Sequence, residues 1–577
     1  MNLRTYRRVS SVTCGIVKAD LVLKNVNVIN VFSEEIHTAD IAICEGFIAG
    51  IGEYSGECEL DLAGFYASPG FVDCHLHLES TLVTPREVVH IAAQCGTTTL
   101  IVDPHESANV AGCAGIDYIL EQTEDVPANV FVMVPSCVPA TRIDDNGARL
   151  TASELAQYLQ HERVLGLGEV MDYEGVIKGE AEVHDKLELF SGKVIDGHAP
   201  FLSPTDLSAY ALAGITTDHE CTEFDYAMEE CRRGITVLIR EGSGAKNLNA
   251  IVQGIVEHQV DTAPFCFCTD DKHIGEIQRE GHINYNVRQA VRLGIDPLKA
   301  IKMATIQAAR CYGLKRIGAI APGYQADLVI FDCLEKMNVQ RVYHRGKAVA
   351  QNQPITIKPS PAALKKTVRL AGFSEAKLAL ELTGEPFPVI GLVAKQITTE
   401  ETMVEFPAEG LFRPDSTYQK VAVIERHGRS GATGVGVVRG CGLRGGAVAS
   451  SVSHDSHNII VIGDNDQDMA LAVNELIRSQ GGYTIVEAGK VVATLELPIM
   501  GLMSEAGFAE IGKELAAMND KLHSMGVPGD INLFAALSFL ALPVIPELRI
   551  TTRGIYSVRQ KRLLVRTHGE CIQQLGG

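Results

Sequence analysis

Ser68-Pro69-Gly70-Phe71-Val72-Asp73-Cys74-His75-Leu76-His77-Leu78-Glu79 is the stretch on which the reading of this chain turns. A Pro-Gly break precedes a short apolar run that ends in two histidines spaced i, i+2. Residues two apart on a strand point to the same face, so the pair presents two imidazoles side by side at a strand end. Two such rings are half of a first-row metal site. His-x-His alone fits a pair of ordinary loop histidines equally well, so its meaning depends on its company.

Downstream of the stretch, apolar runs of strand length alternate with amphipathic helical segments. The runs are Thr97 to Val102, Asn129 to Val134, Val164 to Glu169, Lys193 to His198, Ile215 to His219, Thr236 to Arg240 and Pro264 to Asp270. Helical patterning separates most of them, over Ala152 to His161, Ala181 to Phe190, Thr205 to Ala213 and Leu248 to His258. Eight short strands with helical crossovers predict a (β/α)8 barrel over 68–315. A doubly wound open sheet is the alternative, but no Gly-x-Gly-x-x-Gly follows the first strand. Further helix is expected from Ile283 to Gly313, with Asp296-Pro297 as a start signal.

On either side the pattern is β. Residues 20–67 are short β-rich runs joined by turns, and Gly318 to Phe331 and Val339 to Lys347 return to the same texture. A discontinuous small β-domain, 1–67 with 316–353, is therefore expected around the barrel. A linker from about Pro354 to Lys366 leads to an additional C-terminal α+β domain, 367–577. It carries a strand at Lys420 to Ile424, a Gly-rich stretch from Gly434 to Gly446 and a helix from Asp468 to Ser479.

Composition narrows the function classes. A formal charge of −20 argues against nucleic acid and against an anionic membrane surface as partners. The fifteen cysteines are scattered without any Cys-x-x-Cys, which fits reduced, buried thiols rather than a zinc ribbon or a disulfide framework. Arg4, Arg7 and Arg8 precede no apolar h-region, and Phe534 to Pro546 is too short and Pro-interrupted to span a bilayer. A cytoplasmic protein is expected.

Polar residues collect where the barrel strands end: His75 and His77 on the first, Glu169 on the fourth, His198 on the fifth, His219 on the sixth, Asp270 on the eighth. Barrel active sites lie at those ends and draw on several strands at once. An imidazole or carboxylate closing an apolar strand is costly unless bound, so the six are expected to hold metal together. A carboxylate offers one oxygen to each of two ions, so Glu169 can bridge a pair that generates hydroxide near neutral pH. Imidazoles and carboxylates without thiolate favour Mn(2+) or Fe(2+), with Zn(2+) also admitted. Arg240, Glu241 and Ser243 end the seventh strand and are read either as substrate contacts or as an ion pair at the surface. Asp103, His105 and Glu106 end the second strand and either hold an extra ion, orient the ligands or form a capped turn. His454 and His457, in a polar loop, either line the barrel mouth, make a subunit contact or are loop residues only.

The His-x-His strand, the later single histidines, the terminal Asp and the split β-domain resemble the amidohydrolase superfamily. Many members carry a carboxylated lysine on the fourth strand, where this chain has Glu169. Gly166 to Val176, Asp103-Pro104-His105-Glu106, Pro135 to Ala140, Ile239 to Ser243 and Cys268 to Asp271 are similar to its adenine deaminase branch. So are Ser451 to Asn458 and Leu540 to Pro546, and the likeness spans nearly the whole chain. The resemblance implies a metal-dependent hydrolase barrel that converts adenine to hypoxanthine and ammonia. A hydroxide bridging two metals would attack C6, with Asp270 shuttling its proton and Glu169 bridging the metals; a homodimer is expected. A dihydroorotase- or hydantoinase-like hydrolase of cyclic amides is the alternative within enzymes, and a non-catalytic barrel scaffold the alternative outside them. The cytidine-type zinc deaminase is excluded, because His77-Leu78-Glu79 is followed by no Pro-Cys-x-x-Cys.

Overall fold

The computed structural model describes residues 1–351, 355–394, 396–406 and 410–566. Pro354, the first residue of the expected linker, and 567–577 of the expected C-terminal domain lie outside them.

Eight parallel strands form one sheet in sequence order: β1 (Phe71–Leu76), β2 (Thr97–Val102), β3 (Asn129–Val134), β4 (Val164–Val170), β5 (Val194–Gly197), β6 (Thr217–Asp218), β7 (Thr236–Arg240) and β8 (Phe265–Cys268). The sheet turns back on itself where Leu76 bridges Asp270 and the Asp270 N–H donates to the His75 carbonyl at 2.9 Å. Asp270 takes a left-handed backbone (φ 55°) to make that contact, a conformation an Asp tolerates better than most residues. The strands are buried on both faces, as a run such as Thr-Thr-Thr-Leu-Ile-Val in β2 demands. Val72, Cys74, Ile101, Met133, Leu238, Cys266 and Cys268 fill the interior, so the barrel is a packed core and chemistry is confined to its rim.

The expected strands are all present, and β6 is the shortest of them, Thr217–Asp218. Beyond it the His219 and Cys221 carbonyls accept hydrogen bonds from the Asn247 side chain instead of a neighbouring strand. The crossover Leu248–His258 has the expected bounds. The helical stretch after 283 is broken, with Asp296 capping Pro297–Lys302 through the Leu298 and Lys299 N–H groups. The helix Leu3–Thr13 was not signalled by the sequence reading; Asn2 caps it, and Val9 and Val12 bury against Val22, Ala42 and Ala49.

Strands from both ends of the barrel segment join one antiparallel-rich sheet. Leu328–Phe331 pairs with Tyr66–Pro69, Leu328 opposite Pro69, which brings 19–69 and 328–348 together. The C-terminal region builds a third eight-stranded sheet, running from Thr399–Val404 at one edge to Lys490–Glu496 at the other, with the helix Asp466–Ser479 against it. Between its strands Gly446–Ser450 and Ile459–Gly463 lies the loop 451–458, which faces the barrel rim.

Arg426 holds that loop. Its guanidinium is fully buried and donates to the His457 carbonyl, to Thr367 Oγ1 at 3.1 Å and to the Met500 carbonyl at 2.8 Å. Replacing it leaves three buried acceptors without donors and an empty space. Arg426→Ala is therefore expected to cost about 3 kcal/mol of stability. The midpoint of chemical denaturation, followed by circular dichroism, checks this; a midpoint unchanged from that of the unmodified chain would refute it.

Candidate metal centre

The six residues at the strand ends converge. All are at most 7% exposed. His75 Nε2 and His77 Nε2 lie 3.1 Å apart, two like ring nitrogens aimed at one point. Glu169 stands between two sets of rings. Its Oε1 is 3.5 Å from His75 Nε2 and 3.3 Å from His77 Nε2, while its Oε2 is 2.5 Å from His198 Nδ1 and 3.4 Å from His219 Nε2. Asp270 Oδ1 is 3.3 Å from His77 Nε2 and 3.9 Å from His75 Nε2. Two overlapping triads, His75–His77–Glu169 and Glu169–His198–His219, thus share one carboxylate, and His75, His219 and Asp270 form a third. His198 Nε2 is buried with no hydrogen-bond partner among the described residues. Converging nitrogen and oxygen donors of this kind, in a water-poor setting, fit divalent cations.

The surroundings fix the donors. His77 Nδ1 is 2.9 Å from the Asp103 carbonyl oxygen, which makes it the protonated nitrogen and leaves Nε2 as the free lone pair. Asp103 Oδ2 accepts the Glu169 N–H at 2.9 Å. Gly168 makes that approach possible, because a Cβ there would sit 2.2 Å from Asp103 Oδ2. The Tyr210 hydroxyl accepts from the His198 N–H at 2.8 Å and donates to the Val170 carbonyl at 2.6 Å. Burial favours a neutral Glu169, yet the His219 and His198 rings hold its carboxyl well below the ordinary range. For Asp270 the same opposition is resolved by His77 and Arg240, which keep it ionised.

Arg240 is not at the surface. It is 2% exposed, donates to both Glu220 oxygens, and gives Asp270 Oδ2 a hydrogen bond at 2.9 Å. Its Nε has no partner among the described residues, and the side chain lines the cavity over the donors. Glu241 and Ser243 do not line that cavity. The Glu241 carboxylate is 3.6 Å from Lys246 Nζ, and Ser243 Oγ donates to Glu276 at 2.8 Å while accepting the His273 N–H. Asp103, His105, Glu106 and His454 all lie beside the donors, and His457 reaches Glu106 from the loop 451–458.

The opposite wall of the cavity comes from the C-terminal region: Ile397, Phe539, Leu542 and Ile545, with His454 stacked on Phe539 at 4.7 Å between ring centroids. Asp455, Cys137 and Phe539 escaped the sequence reading as individual residues. Asp455 and Cys137 sit inside motifs quoted for the resemblance; Cys137, three residues past β3, reads from the sequence as a buried thiol, and Asp455 as part of a polar loop.

The amidohydrolase family matches residues 66–349, and the adenine deaminase C-terminal domain matches residues 396–562. The adenine deaminase of Desulfitobacterium hafniense (strain Y51) is 54% identical over 565 residues, covering 98% of this chain and 99% of its own length. The chain belongs to the adenine deaminase family. The family's proteins from Clostridium acetobutylicum, 45% identical, and from Carboxydothermus hydrogenoformans (adenine deaminase 2), 44% identical, cover 94% and 95% of this chain and 97% of their own length in both cases. Family and donor clusters together support a divalent metal in this centre.

Gly168→Ala is expected to break the Asp103–Glu169 contact by overpacking, costing about 1–3 kcal/mol and lowering the metal bound per chain. Elemental analysis after gel filtration checks the second effect. Full metal content in a variant that is otherwise folded would refute it.

Proposed function

We propose that this chain deaminates adenine hydrolytically to hypoxanthine and ammonia, with two divalent cations held by His75, His77, Glu169, His198, His219 and Asp270. The observation that carries the reading is the divided Glu169 carboxylate, one oxygen toward each set of histidines. Its near full-length identity to proteins named adenine deaminase supplies the substrate. A donor set of imidazoles and carboxylates suits Mn(2+) or Fe(2+) better than Zn(2+). When bound, such a pair of cations acidifies water enough to supply hydroxide near neutral pH.

The chain's own groups do the rest. Asp270 is the proton shuttle: Arg240 holds its Oδ2 at 2.9 Å and fixes the orientation of the carboxylate beside His77, and the carboxylate takes a proton and returns it to the purine ring or the departing amine. Glu220 keeps Arg240 in place through a two-pronged ion pair. The unpartnered Arg240 Nε is offered to a ring nitrogen of the substrate. Glu241 and Ser243 support this contact from behind, by tying down the turn that follows β7. A flat aromatic substrate packs against Phe539, Leu542 and Ile545, which also keep bulk water from the reacting carbon.

Protein stripped with a chelator and reloaded with Mn(2+) is expected to consume adenine, seen as ultraviolet loss with release of ammonia. Asp270→Asn is expected to lower kcat by roughly 10²–10⁴-fold. Turnover of dihydropyrimidines in place of adenine, or no turnover by metal-loaded protein, would overturn the reading.

A further inference from the structure

The seam between barrel and C-terminal sheet holds more ligating groups than two cations use. Asp103, His105, Glu106, Cys137, Asp455 and His457 are all at most 3% exposed there. His105 is the hinge of the cluster. Its Nδ1 lies 3.4 Å from Glu169 Oε1 and 3.6 Å from Asp103 Oδ1, between two carboxylates that favour a proton on that nitrogen. Nε2 then carries the lone pair, and it points away from the proposed cation pair. It is 3.3 Å from Glu106 Oε1 and 3.9 Å from Asp455 Oδ1. The ligating atoms of His105, Cys137 and Asp455 lie within 4.8 Å of one another.

Metal–ligand bonds of about 2.0–2.3 Å at tetrahedral angles place ligand atoms roughly 3.3–3.8 Å apart; Glu106 Oε1 at 3.3 Å from His105 Nε2 meets that spacing, and Asp455 Oδ1 at 3.9 Å lies just beyond it. Asp455 Oδ2 is buried with no hydrogen-bond partner among the described residues. Carboxylates in that condition are costly unless a cation answers them. The neighbouring triad Glu106–His454–His457 is a poorer cradle. The Ser453 N–H donates to His457 Nδ1 at 3.2 Å, so the proton of the neutral ring sits on Nε2, which donates to Glu106 instead of ligating.

We propose a third cation site in this seam, formed by His105 Nε2, the Cys137 thiolate, Asp455 and Glu106 Oε1, that takes a thiophilic divalent ion such as Zn(2+) or Co(2+). It is separate from the cation pair of the deaminase reading, on which it rests only for the number of ions already counted. Because Asp455 comes from the C-terminal sheet and the other three groups from the barrel, the ion clamps the two regions together beside the reacting centre. On binding, Cys137 gives up its thiol proton to solvent and the sulfur lone pair forms the metal bond.

Cobalt reports a thiolate ligand directly. The full chain, stripped of metal and loaded with Co(2+), is expected to show a near-ultraviolet sulfur-to-cobalt charge-transfer band and to lose both that band and one bound ion per chain in Cys137→Ser. Asp455→Asn, which keeps its volume, is expected to lose the same ion. His198→Asn, which strikes the other centre at a residue with no part in the His105 cluster, is expected to keep the band. A folded chain with no band, or with equal ion counts in the unmodified protein and Cys137→Ser, would show that His105 holds only a proton and would overturn the proposal. That failure leaves adenine turnover intact, whereas failure of the deaminase reading leaves the band intact without turnover.

Discussion

One carboxylate sets the terms for this molecule. Glu169 is buried at the end of β4 with His75 and His77 on one oxygen and His198 and His219 on the other. Four rings from the ends of three strands cannot be brought that close to a single anion on a fourth unless the sheet curls and closes. The closure is visible where Asp270 bonds back to β1. Gly168, Asp103 and the Tyr210 hydroxyl are all spent on holding this arrangement, which is why the rim is built from small and polar residues while the interior below it is apolar. Desolvation alone would neutralise Glu169; the ring array is what keeps it charged.

Much of this was legible in the chain itself. Strand ends can be read because an apolar run that stops at a His, Glu or Asp is rare unless the polar group has work to do, and that signal found His75, His77, Glu169, His198, His219 and Asp270. It failed for residues delivered by loops. Cys137 lies three residues past the end of β3 and reads as one more buried thiol, and nothing in local spacing says that the loop carrying Asp455 meets a strand that ended near residue 102. Arg240 illustrates an intermediate case: its place at a strand end was readable, but whether it faced solvent or a buried pair of acids depended on Glu220 and Asp270 folding over it. The helix Leu3–Thr13 was missed because its apolar stripe is two valines wide, too thin to stand out from a polar terminus.

The division of labour between the two large regions follows from their geometry. The barrel supplies rigid donors rooted in hydrogen-bonded strands, where positions are fixed to fractions of an ångström. The C-terminal region supplies the loop bearing His454, Asp455 and His457 and the apolar groups Ile397, Phe539, Leu542 and Ile545 that wall the cavity. Glu106 couples the regions, since its two oxygens meet His454 and His457 on the loop that Arg426 anchors to the sheet behind it.

That coupling bears on how the molecule comes into being. Ribosomes release a chain from its first residue onward, and domains form as they emerge. The barrel's six rim groups are complete once Asp270 has left the tunnel, whereas the loop at 451–458 and the Phe539 wall follow almost two hundred and more residues later. The cover over the rim is thus the last part of the centre to be made.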